Sequence, residues 1–425
     1  MDDLRPITPL RRPLADKRVA VPPSKSVANR ELILSALAKG RSRLELGPMD
    51  PGDDVRAMVG ALGALGYRVD WDGGEITVHG GSSLSGRAGA VVDAHDAGTV
   101  ARFATALAAL GSGFVTITGS PRLRERPMAP LIRALRSLGA TADRDAHRQA
   151  TGREDRPRPL LRPIRGARIM SADAVHPVGA RGPGRARRRR ARVRDRRRGR
   201  DLPRRRRSAG RGVSVGREGG VIVAREGRVR PRDLHIPGDV TAATYPAAAG
   251  AVLGGNVTIA NVDARLREGA QGDARFFELV AAMGCNVSHG SGAVCVRRIG
   301  ELHGVRANVR DCSDVFPTLA AIATQASDPT ELTGIGHTRK QESDRVRTVA
   351  AAINALGGRA MPFADAIRVE PAPLHGGVVD AAGDHRIAMA FSVLGLQVPG
   401  VAIKGASAVT KTFPDFYAML AELSR

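Results

Sequence analysis

The chain has 425 residues, a formal charge of +24, 42% apolar residues and three cysteines, Cys285, Cys295 and Cys312. That apolar content suits two or three domains with substantial cores, and the cysteines lack the paired spacing of a zinc module or a disulfide scaffold, so a reduced cytoplasmic setting is expected. No run of about 18 uncharged apolar residues suggests a membrane span, and MDDLRPITPLRRPL (1–14) lacks the apolar core of a secretory signal.

The charge is lopsided. Residues 143–212 hold 25 Arg, no Lys and 7 Asp or Glu, which is +18 of the +24. The +6 on the rest of the chain is ordinary for an enzyme that binds anions.

From the N-terminus onward, two patterns alternate. PPSKSVANR (22–30) stops any earlier helix at Pro22-Pro23 and opens a new one with Ser24-Lys25-Ser26. The free N–H groups of such a start attract an anion, Lys25 adds a point charge, Ser26 a hydroxyl and Arg30 a fork one turn on. NRELILSALAKGRSRLELG (29–47) then reads as a helix of small residues followed by a strand, and MVGALGALGYRVDWDGGEITVHG (58–80) as an apolar helix, Gly66 and a hairpin.

The two patterns repeat. HDAGTVARF (95–103) sets Asp96, Gly98, Thr99 and Arg102 at the start of the next small-residue helix, which leads to a strand by 119. GSPRLRERPMAPLI (119–132) gathers Arg122, Arg124 and Arg126 before a helix entered at Pro127, and LIRALRSLGATADR (131–144) carries the next glycine, Gly139. Gly98 leaves room for a ligand against the backbone.

Then the pattern breaks. The third copy should place its glycine near Gly212, and RGVSVGREGGVIVAREG (211–227) does read as a hairpin, but the preceding 181–211 holds 17 Arg in 31 residues instead of an apolar helix. Such a stretch cannot bury enough apolar surface to offset the entropy of ordering, so 143–212 is expected to be aberrant and disordered. A displaced reading frame in GC-rich coding DNA accounts for its composition. A disordered insertion and a basic nucleic-acid-binding tract are the alternatives.

The patterns resume with TAATYPAAAGAVLGGNVTIAN (241–261), and Gly284 and Gly357 mark the remaining helix–hairpin copies. The marker glycines 66, 139, 284 and 357 are 73, 145 and 73 residues apart, so one copy is missing from an array of six. SDVFPTLAA (313–321) puts Asp314 at a helix start. IGHTRKQESDR (335–345) clusters His337, Lys340, Gln341, Glu342, Asp344 and Arg345. GDHRIAMAF (383–391) contributes Asp384, His385 and Arg386, and KTFPDF (411–416) contributes Lys411.

Cations at equivalent helix starts of two pseudo-symmetric halves are expected to face one cleft, for a substrate with more than one phosphate or carboxylate. No GxxxxGK[ST] loop, HExxH pair or Cys/His cluster points to a nucleotide triphosphate or a metal. Asp314 and Glu342 among the cations suit base and acid.

PSKSVANR (23–30), DAGTVARF (96–103), RERPM (124–128), QESDR (341–345), GDHRIAMAF (383–391) and KTFPDF (411–416) together resemble the 5-enolpyruvylshikimate-3-phosphate synthase family of enolpyruvyl transferases. The resemblance covers nearly the whole chain outside 143–212. It implies an α/β fold, a two-domain inside-out α/β barrel built from six βαβαββ repeats, the third disrupted by the Arg-rich segment. The first domain would be 24–236 (repeats 1–3), and the second 1–23 plus 237–425 (repeats 4–6).

The resemblance also implies transfer of the enolpyruvyl group of phosphoenolpyruvate to the 5-hydroxyl of shikimate 3-phosphate, without metal or cofactor. Lys25, Gly98, Arg126, Arg345, Arg386 and Lys411 would hold phosphoenolpyruvate. Lys25, Ser26, Arg30, Asp314 and Gln341 would serve shikimate 3-phosphate. Catalysis would fall to Lys25, Asp314 and Glu342, with Asp314 as base and Glu342 as acid. The chain departs from the family at Gln341, where Lys or His is usual, at His337, where Asn is frequent, and across the third repeat, where shikimate phosphate ligands belong, so impaired turnover is one expectation. A cytoplasmic monomer is expected, with no membrane partner and nucleic acid disfavoured. A degenerate or RNA-binding protein, and a UDP-N-acetylglucosamine enolpyruvyl transferase, are the rival readings.

Overall fold

A computed structural model of the chain describes residues 3–10, 13–81, 89–111, 114–142, 161–162, 191–194, 206–207, 214–218, 221–225, 228–262 and 271–424. The repeated glycines end helices. Asp53–Ala64, Ala129–Ser137, Arg275–Ala282 and Arg345–Ala355 lead to Gly66, Gly139, Gly284 and Gly357, whose φ angles are 91°, 93°, 104° and 82°. Glycine takes this left-handed conformation without a Cβ penalty, so the chain turns there from helix into strand. Gly212, like most of 143–212, lies outside the described residues. The hairpin expected after it is present, with Ser214–Glu218 antiparallel to Val221–Arg225.

The small-residue helices are Lys25–Leu37, Gly98–Ala108, Val240–Leu253, Phe316–Ala323 and His385–Gly395. A strand follows each of them. Among the described residues no helix lies between Ser137 and Val240, and none is long and apolar enough to cross a membrane.

The strands form six small sheets among the described residues. Four share one plan, seen in Arg306–Asn308, Thr330–Thr333, Ala366–Glu370 and Arg359–Pro362. One parallel pair is extended by two antiparallel strands. In a fifth, Gly377–Asp380 runs parallel to Val401–Lys404, and the N-terminal strand Leu4–Pro6 adds antiparallel. The sheet holding Ala191–Arg194, Arg206–Arg207 and the 214–225 hairpin is antiparallel throughout.

The expected inside-out barrel is not what forms. Each described sheet is an open ladder of three or four strands, whereas closing a sheet on itself takes about eight. The fold is α/β with mixed sheets, and no described sheet closes.

The chain divides into two compact units. Unit 1 holds Met1–Ser26, Leu46–Asp53 and Ile236–Arg425, and unit 2 holds Val27–Glu45 and Asp54–His235. In unit 1 the helices Val240–Leu253, Phe316–Ala323 and His385–Gly395 pack on one another. Every residue of the latter two is buried, as is all of the first but Thr241. Their alanines allow close approach, and such enclosure explains why they lack a polar stripe. Phe276, Phe316, Phe391, Phe413 and Phe416 are fully buried around them, each favouring the fold by about 2–3 kcal/mol. Unit 2 has its own core, including Leu32, Leu44, Met58, Leu62, Ile76 and Val78.

Candidate active site

Unit 1 carries a network of charges centred on Arg345. Asp344 caps the helix Arg345–Ala355, its side chain accepting from the Arg347 N–H, and is itself gripped by Arg339 at 2.8 and 2.9 Å. That cap sets Arg345 at the first helical position, 1% exposed. Its Nε donates to Asp384 Oδ2 at 2.7 Å and its Nη2 to Asp384 Oδ1 at 3.3 Å and Glu342 Oε2 at 2.8 Å. Its Nη1 donates to Asp314 Oδ1 at 3.0 Å and to Gln341 Oε1.

Asp384, wholly buried, caps the helix His385–Gly395 by accepting from the Arg386 N–H at 3.0 Å, and accepts from Ser343 Oγ at 3.1 Å. The Arg386 guanidinium reaches Asp314 twice, through Oδ2 at 2.9 Å and the backbone oxygen at 3.3 Å. Lys411 Nζ donates to Glu342 Oε1 at 3.1 Å. Burial alone would raise the Asp314 pKa, but Arg386 and Arg345 outweigh it, with help from Lys25, and hold it below the ordinary carboxylate value.

Two titratable neighbours complete the network: His385, which the sequence placed at a helix entry without giving it a role, and Asp273, which the sequence reading did not name. His385 is 1% exposed, and neither ring nitrogen has a hydrogen-bond partner. Burial and the charges of Lys411, Lys25 and Arg386 hold its pKa well below normal, so the imidazole is neutral. Asp273, bonded to the Thr241 hydroxyl, is pushed up to about 7 by burial and by the nearby Asp314 carboxylate. The QGD run (271–273) was the available signal, but nothing in it announces that Asp273 lies near Asp314.

Lys25 and Ser26 open the helix Lys25–Leu37, half-buried. Lys25 is close enough to lower the pKa of both Asp314 and His385. Ser24 Oγ is 3.1 Å from Asp239 Oδ2 and 3.0 Å from Gln271 Oε1. The structure therefore brings Lys25, Asp314, Gln341, Glu342, Arg345, Arg386 and Lys411 together within unit 1.

Unit 2 holds a second, smaller cluster. Gly98 starts its helix, and a Cβ there would lie 2.8 Å from Cζ and 2.9 Å from Nη1 of Arg126. The absent side chain is what lets the guanidinium rest on the backbone. Arg102 Nη1 donates to the Gly98 oxygen at 2.9 Å. Arg122 pairs with Glu125 at 2.9 Å within the short helix Pro121–Glu125, and Arg124 of that helix donates to the Gly119 oxygen at 2.9 Å. Arg30 is an exposed residue of this unit.

The fold is shared with solved enolpyruvyl transferases. The enolpyruvyl transferase NikO from Streptomyces tendae superposes with a TM-score of 0.63 at 17% identity, covering 99% of this chain and 97% of that one. EPSP synthase from Acinetobacter baumannii superposes with a TM-score of 0.74 at 23% identity, covering 99% and 98%. The sequence pattern of EPSP synthase (3-phosphoshikimate 1-carboxyvinyltransferase) matches residues 12–152 and 209–420. A 3-phosphoshikimate 1-carboxyvinyltransferase from Methanoculleus marisnigri is 36% identical over 421 residues, 95% of this chain and 96% of its own. The chain belongs to the EPSP synthase family.

Proposed function

We propose that the chain transfers the enolpyruvyl group of phosphoenolpyruvate to the 5-hydroxyl of shikimate 3-phosphate and releases phosphate. Family membership supports the reaction. The observation that carries the division of labour is that Asp314 and Glu342 hang on one guanidinium, Arg345, at 3.0 and 2.8 Å. Base and acid are thereby kept at a set separation.

In this reading phosphoenolpyruvate is held by Lys25, Arg345, Arg386 and Lys411, with Gly98 and Arg126 as further ligands. Shikimate 3-phosphate is served by Lys25, Ser26, Arg30, Asp314 and Gln341. Glu342, with Lys25 alongside, delivers a proton to the methylene carbon. Asp314 takes the proton of the 5-hydroxyl, whose oxygen bonds to the central carbon of the enolpyruvyl group. Glu342, now a carboxylate, takes a methyl proton back from the tetrahedral adduct as the bond from its central carbon to the phosphate oxygen breaks, which restores the double bond and releases phosphate. Cations stabilise the charge collecting on phosphate.

Asp314 is a weak base while both arginines grip it. An anionic substrate group competes for Arg386, and each donor withdrawn returns basicity to the carboxylate. A cytoplasmic, monomeric enzyme belongs to the same reading, and the three free cysteines suit a reducing compartment.

The test is turnover of both substrates by Lys25→Ala and Glu342→Ala proteins, followed as phosphate release and product. Each should lose on the order of a thousandfold in kcat, the scale of an acid–base contribution. Near-normal turnover in either would remove that residue from its role.

A further inference from the structure

One short segment of the chain sits apart from its neighbours in sequence. Leu46–Asp53 belongs to unit 1, although the residues on both sides of it belong to unit 2. It ends against Lys411. Pro51 and Gly52 are buried, and Gly52, at φ +85°, lies so close that a Cβ would be 2.8 Å from the Lys411 carbonyl oxygen and 2.9 Å from Thr412 Cα. The Gly52 N–H donates to Asp50 Oδ1 at 2.8 Å, which holds the turn. Asp53 Oδ2 accepts from Thr410 Oγ1 at 2.9 Å. Lys411 is the last residue of the 3-10 turn Ala406–Lys411, and its ammonium meets Glu342 at 3.1 Å.

We propose that Gly52 and Asp53 are positioning residues for Lys411, forming a strap that fixes the backbone from which its ammonium reaches Glu342 and the phosphoenolpyruvate anion. The proposal rests on the reading of Lys411 as a phosphoenolpyruvate ligand. A side chain of four methylenes is flexible, so the placement of its charge depends on how firmly its backbone is held. The strap holds it on two sides. The bare backbone of Gly52 blocks movement of the Lys411 carbonyl, and Asp53 ties down the preceding residue.

Asp53 and Thr410 are both exposed, so exchanging them leaves the cores intact. The full chain is assayed with both substrates. Thr410→Val and Asp53→Ala should each raise KM for phosphoenolpyruvate about tenfold, as expected for loss of one hydrogen bond to a charged group. KM for shikimate 3-phosphate should stay unchanged. The double variant should be no worse than either single one, because both remove the same bond.

Thr410→Ser and Asp53→Asn keep a donor and an acceptor and should restore KM. Asp53 also opens the helix Asp53–Ala64, where its charge favours the helix dipole. Asn lacks that charge as Ala does, so a role confined to the helix would shift the thermal midpoint in both variants and KM in neither. Normal KM in Thr410→Val and Asp53→Ala, beside a raised KM in Lys411→Ala, overturns the strap alone. A normal KM in Lys411→Ala overturns the ligand assignment, and the strap with it.

Discussion

A guanidinium has five N–H groups, and five acceptor atoms surround that of Arg345, on Asp384, Asp314, Gln341 and Glu342. It therefore organises Asp314 and Glu342, the proposed base and acid, before any substrate arrives, whereas Arg386 and Lys411 each hold a carboxylate that a substrate anion could displace. Asp273 adds a titration behind this network. In an unfolded chain its carboxyl has a pKa near 3.8, and in the native state it is pushed up to about 7. Between those values the unfolded chain gives up the proton more readily, so its ionisation favours unfolding. The contribution is fully present below the unfolded value and lost as pH rises through the native one. Asp273→Asn abolishes the penalty. Relative to the parent, the variant should gain roughly 1–3 kcal/mol in urea unfolding between about pH 5 and about pH 8. Parallel pH curves for the two proteins would show that Asp273 titrates normally.

At the scale of elements, the same strand–turn–helix device occurs once in each unit. His95 (φ 47°) and Ala382 (φ 51°) are the two non-glycine residues described with positive φ. Each donates its N–H to an aspartate two residues back, Asp93 or Asp380, at 2.8 Å. The turns deliver Gly98 and His385 to equivalent helix starts. This repetition was legible from spacing, because each helix must end in a left-handed residue before its hairpin and glycine serves at each described one. Long-range ties were not legible. Asn261 brackets Val21, accepting from its N–H at 3.0 Å and donating to its oxygen at 2.6 Å across 240 residues of sequence. Pro23 bridges Gly238 beside it. Nor does periodicity say whether strands close on themselves; the barrel was what the family resemblance implied, and open ladders formed. Gly238 tests the tie. A Cβ there would lie 2.6 Å from the Asn261 backbone oxygen, which cannot swing away as a flexible side chain could. Gly238→Ala should lower stability by about 1–3 kcal/mol, as overpacking does. Gly60→Ala, where a Cβ meets nothing within 4 Å in a helix, should raise it by up to about 1 kcal/mol. Equal denaturant midpoints for the two variants would contradict the tie.

At the scale of the whole molecule, the third repeat is where this chain and its family part. The family pattern stops at 152 and resumes at 209, and the intervening residues include most of the 17 arginines of 181–211. On either side of that gap the repeat holds its form. The helix Ala129–Ser137 precedes it, and the hairpin of Ser214–Glu218 and Val221–Arg225 follows it. Among the described residues, the sheet containing that hairpin has no parallel pair, whereas the other five each have one. Among the described residues the unit 1 cluster takes none from this region, so the groups proposed to act on phosphoenolpyruvate are separable from whatever 153–208 contributes. Replacing 153–208 with the matching segment of the Methanoculleus relative should therefore lower KM for shikimate 3-phosphate by about tenfold, roughly the worth of one charge-assisted contact regained. KM for phosphoenolpyruvate should hold within about twofold, because Arg345, Arg386 and Lys411 are untouched. The same exchange removes the basic run, so any salt-sensitive RNA retention by the parent chain should vanish with it. An unchanged KM for shikimate 3-phosphate would mean that the Arg-rich segment does not limit binding of that substrate, and that the third repeat is dispensable for it.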